Sequence, residues 1–277
     1  MGRPCSIGRA DGFRAKPSIP NIFRHPPAGA WPRDPLRWAP GRRWEAIAGE
    51  AKGLFPGAFC KVLPDTLSGS PDHCLLVHAD GAGTKSILAY FHYRETGDFS
   101  AFRGIAQDSL VMNIDDLACA GVFGPFLLSN TIGRNAKLIS GAAIAAIIAG
   151  YRACGEALGR QGIVIESGGG ETADLGDTVR TLVVDSTVVA RALRKDILTG
   201  EKIKPGLALV GLSSGGRASY EDAENSGVGS NGFTLLRHQL LSPHYRDAYP
   251  EAFAPEISTL VYTGNSASAT PCPAGAA

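Results

Sequence analysis

The sequence predicts an α+β fold followed by the start of a second α+β unit, and two observations lead to this class. First, stretches rich in β-branched residues alternate with two long segments of helical period, in the order β-α-β-α-β-β. Second, the last two of these strands follow one another without a helix between them. A doubly wound parallel sheet requires a helix at that point, so the pattern favours an α+β sheet.

The first two strands and the two helices have the clearest patterns. "HCLLVHAD" at residues 73–80 predicts a buried strand that ends at an acid. Residues 102–121 carry apolar side chains at close to helical period, and a glycine ends the segment. Residues 123–133 predict the second strand. Residues 136–162 predict a long helix, with Gly162 as its carboxyl-terminal cap.

The later elements are marked by β-branched residues and by one helix-start pattern. Residues 163–167 and 179–193 predict the two strands that follow the long helix. After "KPG", residues 207–214 predict a further strand. Ser230 or Asn231 suits the start of the next helix.

Composition divides the chain into four parts. Residues 1–45 are rich in proline and arginine, hold all three tryptophans and are expected to be disordered. Residues 46–200 form the first predicted domain, and residues 201–264 form a partial second one. Residues 265–277 have low complexity and are expected to be an unstructured tail.

Charge and cysteine usage indicate a cytoplasmic protein. The 277 residues carry a net charge of +1, which gives no bias toward nucleic acid or membrane. The six cysteines form no CxxC pair and there is no secretory signal, so reduced thiols are expected, with Cys119 and Cys154 in the core. No apolar run reaches about 18 residues, so no membrane span is expected, and residues 141–150 are expected to form a buried helix.

"DGAGTKS" at residues 80–86 combines an acid, two glycines, a hydroxyl and a lysine directly after the first strand. It is not a P-loop, because Ala79 and Thr84 stand where that motif requires glycine. A permissive turn can still direct backbone N–H groups at an anion, with Asp80 at the strand end and Lys85 pairing the charge. The alternative is a glycine turn with a solvated lysine.

"NIDDL" at residues 113–117 places two acids in an apolar helix. Asp115 and Asp116 lie roughly 100° apart around the helix axis, so one can face solvent while the other leans toward a neighbouring element. A buried charge needs a partner, and a hard cation is an efficient one for carboxylates. The alternative is a polar helix face that carries two acids.

"ESGGGETAD" at residues 166–174 invites a dinucleotide-binding interpretation. Gly168, Gly170 and Ala173 satisfy that fingerprint, and Asp185 falls near the position of its ribose-binding acid. The next strand follows almost at once, however, so the fingerprint's helix has no room. We therefore expect a loop.

A glycine loop that bears Glu171, Thr172 and Asp174 suits oxygen ligation and a close backbone approach. The three acid-bearing motifs are expected to converge on one Mg²⁺–nucleotide. Serine and zinc hydrolytic chemistry find no support, because GxSxG and HExxH are absent. His78 is expected to pack at the strand end, and Asp185 is expected to be a paired structural acid.

Four motifs in this order resemble those of the phosphoribosylformylglycinamidine cyclo-ligases, the aminoimidazole ribonucleotide synthetases of the PurM-like superfamily. The family shows "DGVGTK", "NDL", "GGETAE" and "SNG". This chain has "DGAGTK" at residues 80–85, "DDL" at 115–117, "GGETAD" at 169–174 and "SNG" at 230–232. The resemblance runs from residue 46 to residue 263.

The resemblance implies a PurM-like domain, with a mixed sheet whose helices pack on one face, and a homodimer formed through the N-terminal sheets. It also implies an ATP-dependent ring closure that converts formylglycinamidine ribonucleotide, a phosphoribosyl amidine, to aminoimidazole ribonucleotide. The implied cofactors are ATP and Mg²⁺. Residues 46–200 would then be the ATP-binding domain and residues 201–264 part of the substrate domain.

The resemblance also assigns roles to site residues. Lys85 and Asp116 would be catalytic, and Ser230 and Asn231 would face the substrate. The metal ligands would be Asp80, Asp115, Asp116, Glu171 and Asp174. The nucleotide would contact Gly81, Gly83, Thr84, Lys85, Gly169, Gly170 and Thr172.

The sequence departs from the family pattern in several places. "GVGSNG" at residues 227–232 lacks the histidine of the family's "GPHSNG", and the segment before it is longer. Asp115 replaces an asparagine, and the Pro/Arg-rich start has no clear counterpart of the family's glycine-rich lysine segment. The second domain is expected to be truncated. Two alternatives therefore stand beside the cyclo-ligase: a related ATP-using enzyme of small-molecule kinase or phosphate-transfer type, and a truncated, inactive nucleotide-binding homologue.

Overall fold

The computed structural model describes residues 49–217, 224–225 and 227–264, without the side chain of Thr259. From Lys52 on, the chain forms one unit, and the fold given below belongs to that unit. The predictions for residues 1–45 and 265–277 lie outside the described residues.

Five strands of the described residues form one mixed sheet. They are β1 (Val62–Pro64), β2 (His73–Gly81), β3 (Phe126–Arg134), β4 (Ile165–Asp174) and β5 (Leu182–Leu193). The strand order is β1-β2-β5-β3-β4. Strands β3 and β4 run parallel, and all other neighbours run antiparallel. The predicted α+β class and the mixed sheet are confirmed.

Within the described part of the chain, five α-helices accompany the sheet. They are α1 (Ser86–Thr96), α2 (Ser100–Cys119), α3 (Gly141–Arg160), α4 (Phe233–Leu240) and α5 (Pro243–Ala248). Helix α3 begins later than predicted, because the Ser140 side chain accepts a hydrogen bond from the Ala143 N–H and caps the helix there. Gly162 follows the end of α3 with a φ of 87°, which confirms the predicted glycine cap.

Helix α3 is 20 residues long and, by length and composition alone, apolar enough to cross a membrane. The core helix of a soluble protein passes the same test. Ile144 and Ile147 of α3 are buried in the core, but Ile148 is 45% exposed, so the predicted buried helix is buried along one face only. No other helix among the described residues meets the criterion.

Side chains alternate between the two faces of the sheet. One face, which includes Leu76 and Val184, is buried and forms the core together with the helices. The opposite face exposes Val77, Leu127 and Val183. The helices therefore pack on one face, as the resemblance implied.

The expected loop at residues 166–174 is wrong, because these residues belong to strand β4. The parallel partner β3 pairs with the glycine-rich stretch, with Asn130 beside Gly170. A Cβ on Gly170 would lie 2.3 Å from the Asn130 Oδ1 atom. The glycine therefore permits a close approach of side chain and backbone inside the sheet, rather than marking a loop.

The strand predicted at residues 207–214 is also wrong. Leu207, Leu209, Val210 and Leu212 are exposed. Among the described residues, no other strand lies beside this segment. A lone strand leaves its backbone groups without ladder partners, so an apolar pattern does not suffice to form one.

Two smaller expectations fail for local reasons. Helix α4 begins at Phe233 rather than at Ser230 or Asn231, because Gly232 directly before it has a left-handed φ of 76°. Cys119 is exposed rather than buried, because it follows the exposed Asp115 by one helical turn on the same face of α2. Cys154, by contrast, packs against the core.

Gly150 sets the spacing between α2 and α3. A Cβ at this position would lie 2.5 Å from the Arg103 carbonyl oxygen and 2.8 Å from the Arg103 Cα atom. Gly150→Ala should push the helices apart and lower the free energy of unfolding by about 1–3 kcal/mol, as measured by urea denaturation.

Gly155→Ala is the matched control, because a Cβ at this position of the same helix would meet nothing within 4 Å. The free energy of unfolding of that variant should stay unchanged or rise by up to about 1 kcal/mol, because alanine has a higher helix propensity than glycine. Equal stability of the two variants would contradict the close contact.

Candidate functional site

The turn between β2 and α1 carries the "DGAGTKS" motif. Strand β2 ends at Gly81, and a 3-10 turn, Gly83–Lys85, leads directly into α1. The Asp80 Oδ1 atom accepts a hydrogen bond of 2.7 Å from the Gly81 N–H. No side chain caps the amino terminus of α1. Asp80, the 3-10 turn and the first residue of α1 therefore follow one another directly at the end of β2, as the sequence predicts.

Gly81 has no room for a side chain. A Cβ there would lie 1.8 Å from the Asp185 Oδ1 atom and 2.7 Å from the Val184 carbonyl oxygen. Asp185 of β5 stands directly opposite Gly81 in the antiparallel register. The glycine thus lets a carboxylate from the neighbouring strand fold over the end of β2.

Asp185 is not the paired structural acid that the sequence suggests. Among the described residues, no basic side chain forms an ion pair with it. Partial burial, and then the charge of nearby Asp80, raise the pKa of Asp185. Asp185 adds a second carboxylate at the end of β2. The sequence does not predict this position, because the closeness of Asp185 to Asp80 depends on the pairing of β2 with β5.

Lys85 is held by an acid that lies outside the four sequence motifs. Its Nζ atom lies 2.7 Å from the Asp108 Oδ1 atom of α2, and the two side chains are 18% and 22% exposed. Burial raises the pKa of Asp108, and the charge and hydrogen bond of Lys85 act in the opposite direction. The lysine is therefore fixed at the turn rather than freely solvated.

The two adjacent acids of α2 take different environments, as predicted. Asp115 is exposed, whereas Asp116 leans toward β2. The Asp116 Oδ2 atom lies 3.0 Å from the Nε2 atom of His78, which is two residues before Asp80. His78 therefore contacts the candidate site and does not merely pack at the strand end.

Asn113 links the two elements and fixes the orientation of the His78 ring. Its amide nitrogen lies within hydrogen-bond distance of three carbonyl oxygens, those of Asp80, Ser109 and Ser186, at 3.0–3.3 Å. The Asn113 Oδ1 atom therefore faces the His78 Nδ1 atom, 3.0 Å away. This amide oxygen accepts, so the Nδ1 atom donates to it, and the Nε2 atom on the other side of the ring faces Asp116.

The "SNG" segment lies near the same turn. Thr234, in the first turn of α4, shares a 2.7 Å hydrogen bond with Thr84 through their hydroxyl groups. Phe233, which directly precedes Thr234, is buried in the core. Ser230 and Asn231 lie three to four residues before Thr234 in the chain, so the contact places the start of α4, which follows the "SNG" segment, beside the β2–α1 turn.

The "GGETAD" motif is not part of this group. It lies on β4, which is separated from β2 by β5 and β3, about 14 Å away at a strand spacing of about 4.8 Å. Asp174 pairs with Arg134 at 2.7 Å, and Glu171 accepts a hydrogen bond from the Thr172 N–H. Within this chain, Gly169, Gly170, Glu171, Thr172 and Asp174 therefore do not meet Asp80 and Asp116.

The donor set at the end of β2 fits Mg²⁺ in one specific way. Nowhere in residues 49–217, 224–225 and 227–264 do three or more His, Cys, Asp or Glu side chains come together as a metal-binding group. Mg²⁺ is commonly held by one or two carboxylates together with water and phosphate oxygens of a nucleotide. Asp80 and Asp116 match that arrangement, whereas a cage built from protein ligands alone is not present in the described part.

Comparisons with known proteins point to one family. Residues 60–192 match the family described as AIR synthase related protein, N-terminal domain. The chain is 33% identical to phosphoribosylformylglycinamidine cyclo-ligase of Pyrococcus furiosus over 177 residues, which are 63% of this chain and 44% of that protein. It is 30% identical to the protein of the same name from Thermococcus kodakarensis over 176 residues, with coverages of 63% and 44%.

Solved structures also match the chain in part. PurL of T. maritima complexed with ADP is 12% identical, with a TM-score of 0.36, and the match covers 56% of this chain and 24% of that one. A likeness of this size carries no argument about function. The chain spans less than half the length of the curated relatives that it matches.

Proposed function

We propose that this chain, whose residues 60–192 match the AIR synthase related N-terminal domain, binds Mg²⁺–ATP at the β2–α1 turn. We further propose that it belongs to an ATP-dependent cyclo-ligase that converts formylglycinamidine ribonucleotide to aminoimidazole ribonucleotide. The observation that carries the binding proposal is that Asp80 and the Gly83–Lys85 turn meet at the end of β2, while Asp116 of α2 contacts the same strand through His78. The relatives' names support the reaction.

Each residue at the turn has a role that its position supports. Asp80 and Asp116 would hold Mg²⁺, and the backbone of Gly81, Gly83 and Thr84 would face the phosphates. Lys85 would pair phosphate charge, and its contact with Asp108 keeps the ammonium group at the turn. Because a lysine fixed in advance loses less entropy on binding, this ion pair favours phosphate capture.

The roles of the β4 residues stay predictions. Gly169, Gly170 and Thr172 as nucleotide contacts, and Glu171 and Asp174 as metal ligands, would require β4 to meet the β2 turn of another chain or to move. Asp115 is exposed and does not share the contact that Asp116 makes with His78, so we expect a minor role for it.

When bound, Mg²⁺–ATP supplies the phosphoryl group that turns an amide oxygen of the substrate into a leaving group. The protein's part is then positioning and charge neutralisation. Lys85 and Asp116 would orient the phosphates on one side. Ser230 and Asn231 would hold the phosphoribosyl amidine on the side of α4, where Thr234 contacts Thr84.

We also propose that the protein forms a homodimer through the open face of the sheet and works in the cytoplasm. The face opposite the helices exposes Val77, Leu127 and Val183, which supports association through the sheet. The cysteines in the described part of the chain, Cys60, Cys74, Cys119 and Cys154, are free thiols, which supports a reducing compartment.

One observation favours a second candidate, a nucleotide-binding homologue without turnover. Residues 207–214, in the predicted substrate domain, expose an apolar segment instead of forming a strand. A kinase-type or phosphate-transfer enzyme with another acceptor is the third candidate, and it shares the same turn.

Purified chain should bind a non-hydrolysable ATP analogue in calorimetry with Mg²⁺, and it should lose that affinity when EDTA removes the metal ion. With formylglycinamidine ribonucleotide and ATP, it should release ADP and form aminoimidazole ribonucleotide. Mg²⁺-dependent binding without ADP release would favour the inactive homologue. ADP release with a phosphorylated product would favour the kinase type, and absence of binding would contradict the nucleotide site.

A further inference from the structure

We propose that His78 is a positioning residue, which holds the Asp116 carboxylate in the orientation that receives the metal ion. The inference rests on the Mg²⁺–nucleotide site proposed above. It concerns a residue that the sequence motifs do not include, since His78 lies before the "DGAGTKS" stretch.

The fold forces the three participants together. His78 and Asp80 are two positions apart on β2, so their side chains leave the strand on the same face. Asn113 and Asp116 are three positions apart on α2, so they share one face of that helix. Because α2 packs on β2, the imidazole ring bridges the two faces.

Each ring nitrogen has its own partner. The Nδ1 atom bonds to the Asn113 Oδ1 atom at 3.0 Å, and the amide of Asn113 is in turn fixed by three backbone carbonyls. The ring is therefore anchored to backbone on one side. On the other side, the Nε2 atom reaches the Asp116 Oδ2 atom at 3.0 Å.

The contact constrains one oxygen of Asp116 and leaves the other available. Among the described residues, the Oδ1 atom of Asp116 has no hydrogen-bond partner, and no lysine or arginine pairs with this carboxylate. A half-buried aspartate without such an anchor would sample several rotamers, and fixing it on binding would cost free energy. An outer partner of a metal-ligating group typically contributes 10–100-fold in metal affinity.

Two isosteric variants separate the two bonds of the ring. In His78→Gln, the amide nitrogen can take the place of the Nε2 atom and keep the bond to Asp116. In His78→Asn, the shorter amide can take the place of the Nδ1 atom and keep the bond to Asn113, but it cannot reach Asp116. If His78 matters through its bond to Asn113, His78→Asn should keep more of the Mg²⁺-dependent affinity than His78→Gln. If it positions Asp116, the order of the two variants is reversed.

The measurements are calorimetric affinity for a non-hydrolysable ATP analogue, with Mg²⁺ and with EDTA, and Mn²⁺ binding to the nucleotide-free chain by electron paramagnetic resonance. His78→Asn should weaken Mg²⁺-dependent binding of the analogue by about tenfold or more, with unchanged affinity in EDTA. His78→Gln should keep a Mg²⁺-dependent affinity for the analogue within about threefold of the wild-type value. Mn²⁺ affinity should follow the same order.

Several outcomes would overturn the inference. Wild-type affinity in His78→Asn, equal losses in the two variants, or equal losses with Mg²⁺ and EDTA would each show that the ring does not position a metal ligand. Wild-type protein that binds no nucleotide would overturn the proposed function and this inference together. If His78→Asn does not fold, imidazole ¹⁵N shifts of the wild type decide: the Nε2 hydrogen bond should persist when Mg²⁺ and the analogue bind, and its loss would contradict positioning.

Discussion

Asp116→Asn should remove most of the Mg²⁺-dependent affinity for ATP. Asp116 leans toward the end of β2, and its carboxylate is aligned by His78. The substitution keeps the shape of the side chain but removes the charge and one oxygen donor. Because this group would touch the metal ion itself, the loss should exceed the roughly 10–100-fold that removal of an outer partner costs.

Asp115→Asn is the matched control. It changes the same residue type in the same turn of α2, but Asp115 is exposed, whereas Asp116 contacts His78 of β2. Calorimetry with Mg²⁺ and an ATP analogue should give an affinity within about twofold to threefold of the wild type, as expected for a screened surface charge. Equal losses in both variants would show that general electrostatics, rather than ligation, carries the effect. No loss in Asp116→Asn would refute its role as a metal ligand.

The local parts of this site could be predicted from sequence, because each depends on neighbours along the chain. The end of β2 at an acid and the turn into α1 follow from one continuous stretch, residues 73–86. The different environments of Asp115 and Asp116 follow from the angle between successive helical positions. The α+β class followed from the missing helix between β4 and β5.

The partners of these residues could not be predicted in the same way. Asp108 meets Lys85, His78 meets Asp116, and Asp185 folds over Gly81, and each pair joins two elements whose packing or register is set by the whole sheet. A sequence pattern shows that His78 and Asp80 share a face, but not which helix covers it. For that reason, the sequence pattern predicts only that His78 packs at the strand end, and the contact with Asp116 is not foreseen.

The glycine-rich strand β4 also depends on a partner that is distant in sequence. Its composition is typical of a loop, and only the presence of β3 as a parallel partner makes it a strand. The placement of β4 at the far edge also separates Glu171 from Asp80, although the motifs follow one another in the chain. Convergence of motifs on one site is therefore the weakest step in an argument from sequence order.

Phe91→Ala should be the most destabilising single substitution that we propose. Phe91 of α1 is fully buried, and its ring lies 5.0 Å from that of Tyr245, 5.5 Å from that of Tyr249 and 5.7 Å from that of Phe253. One side chain thus joins α1 to α5 and to the turn after it. Truncation of a buried phenylalanine costs about 3–5 kcal/mol, through lost burial and the cavity left behind.

This loss is large against the roughly 5–15 kcal/mol that stabilises a typical domain, and urea denaturation should report it directly. Phe59→Ala is the control, because Phe59 is exposed, and its effect should stay within about 0.5 kcal/mol. The aromatic contacts of Phe91 also hold the segment that follows α4, so limited proteolysis should cut Phe91→Ala after residue 233 faster than the wild type. A loss below about 1 kcal/mol would mean that α5 does not pack on α1 in solution, and the support that α4 gives to Thr84 would then fall with it.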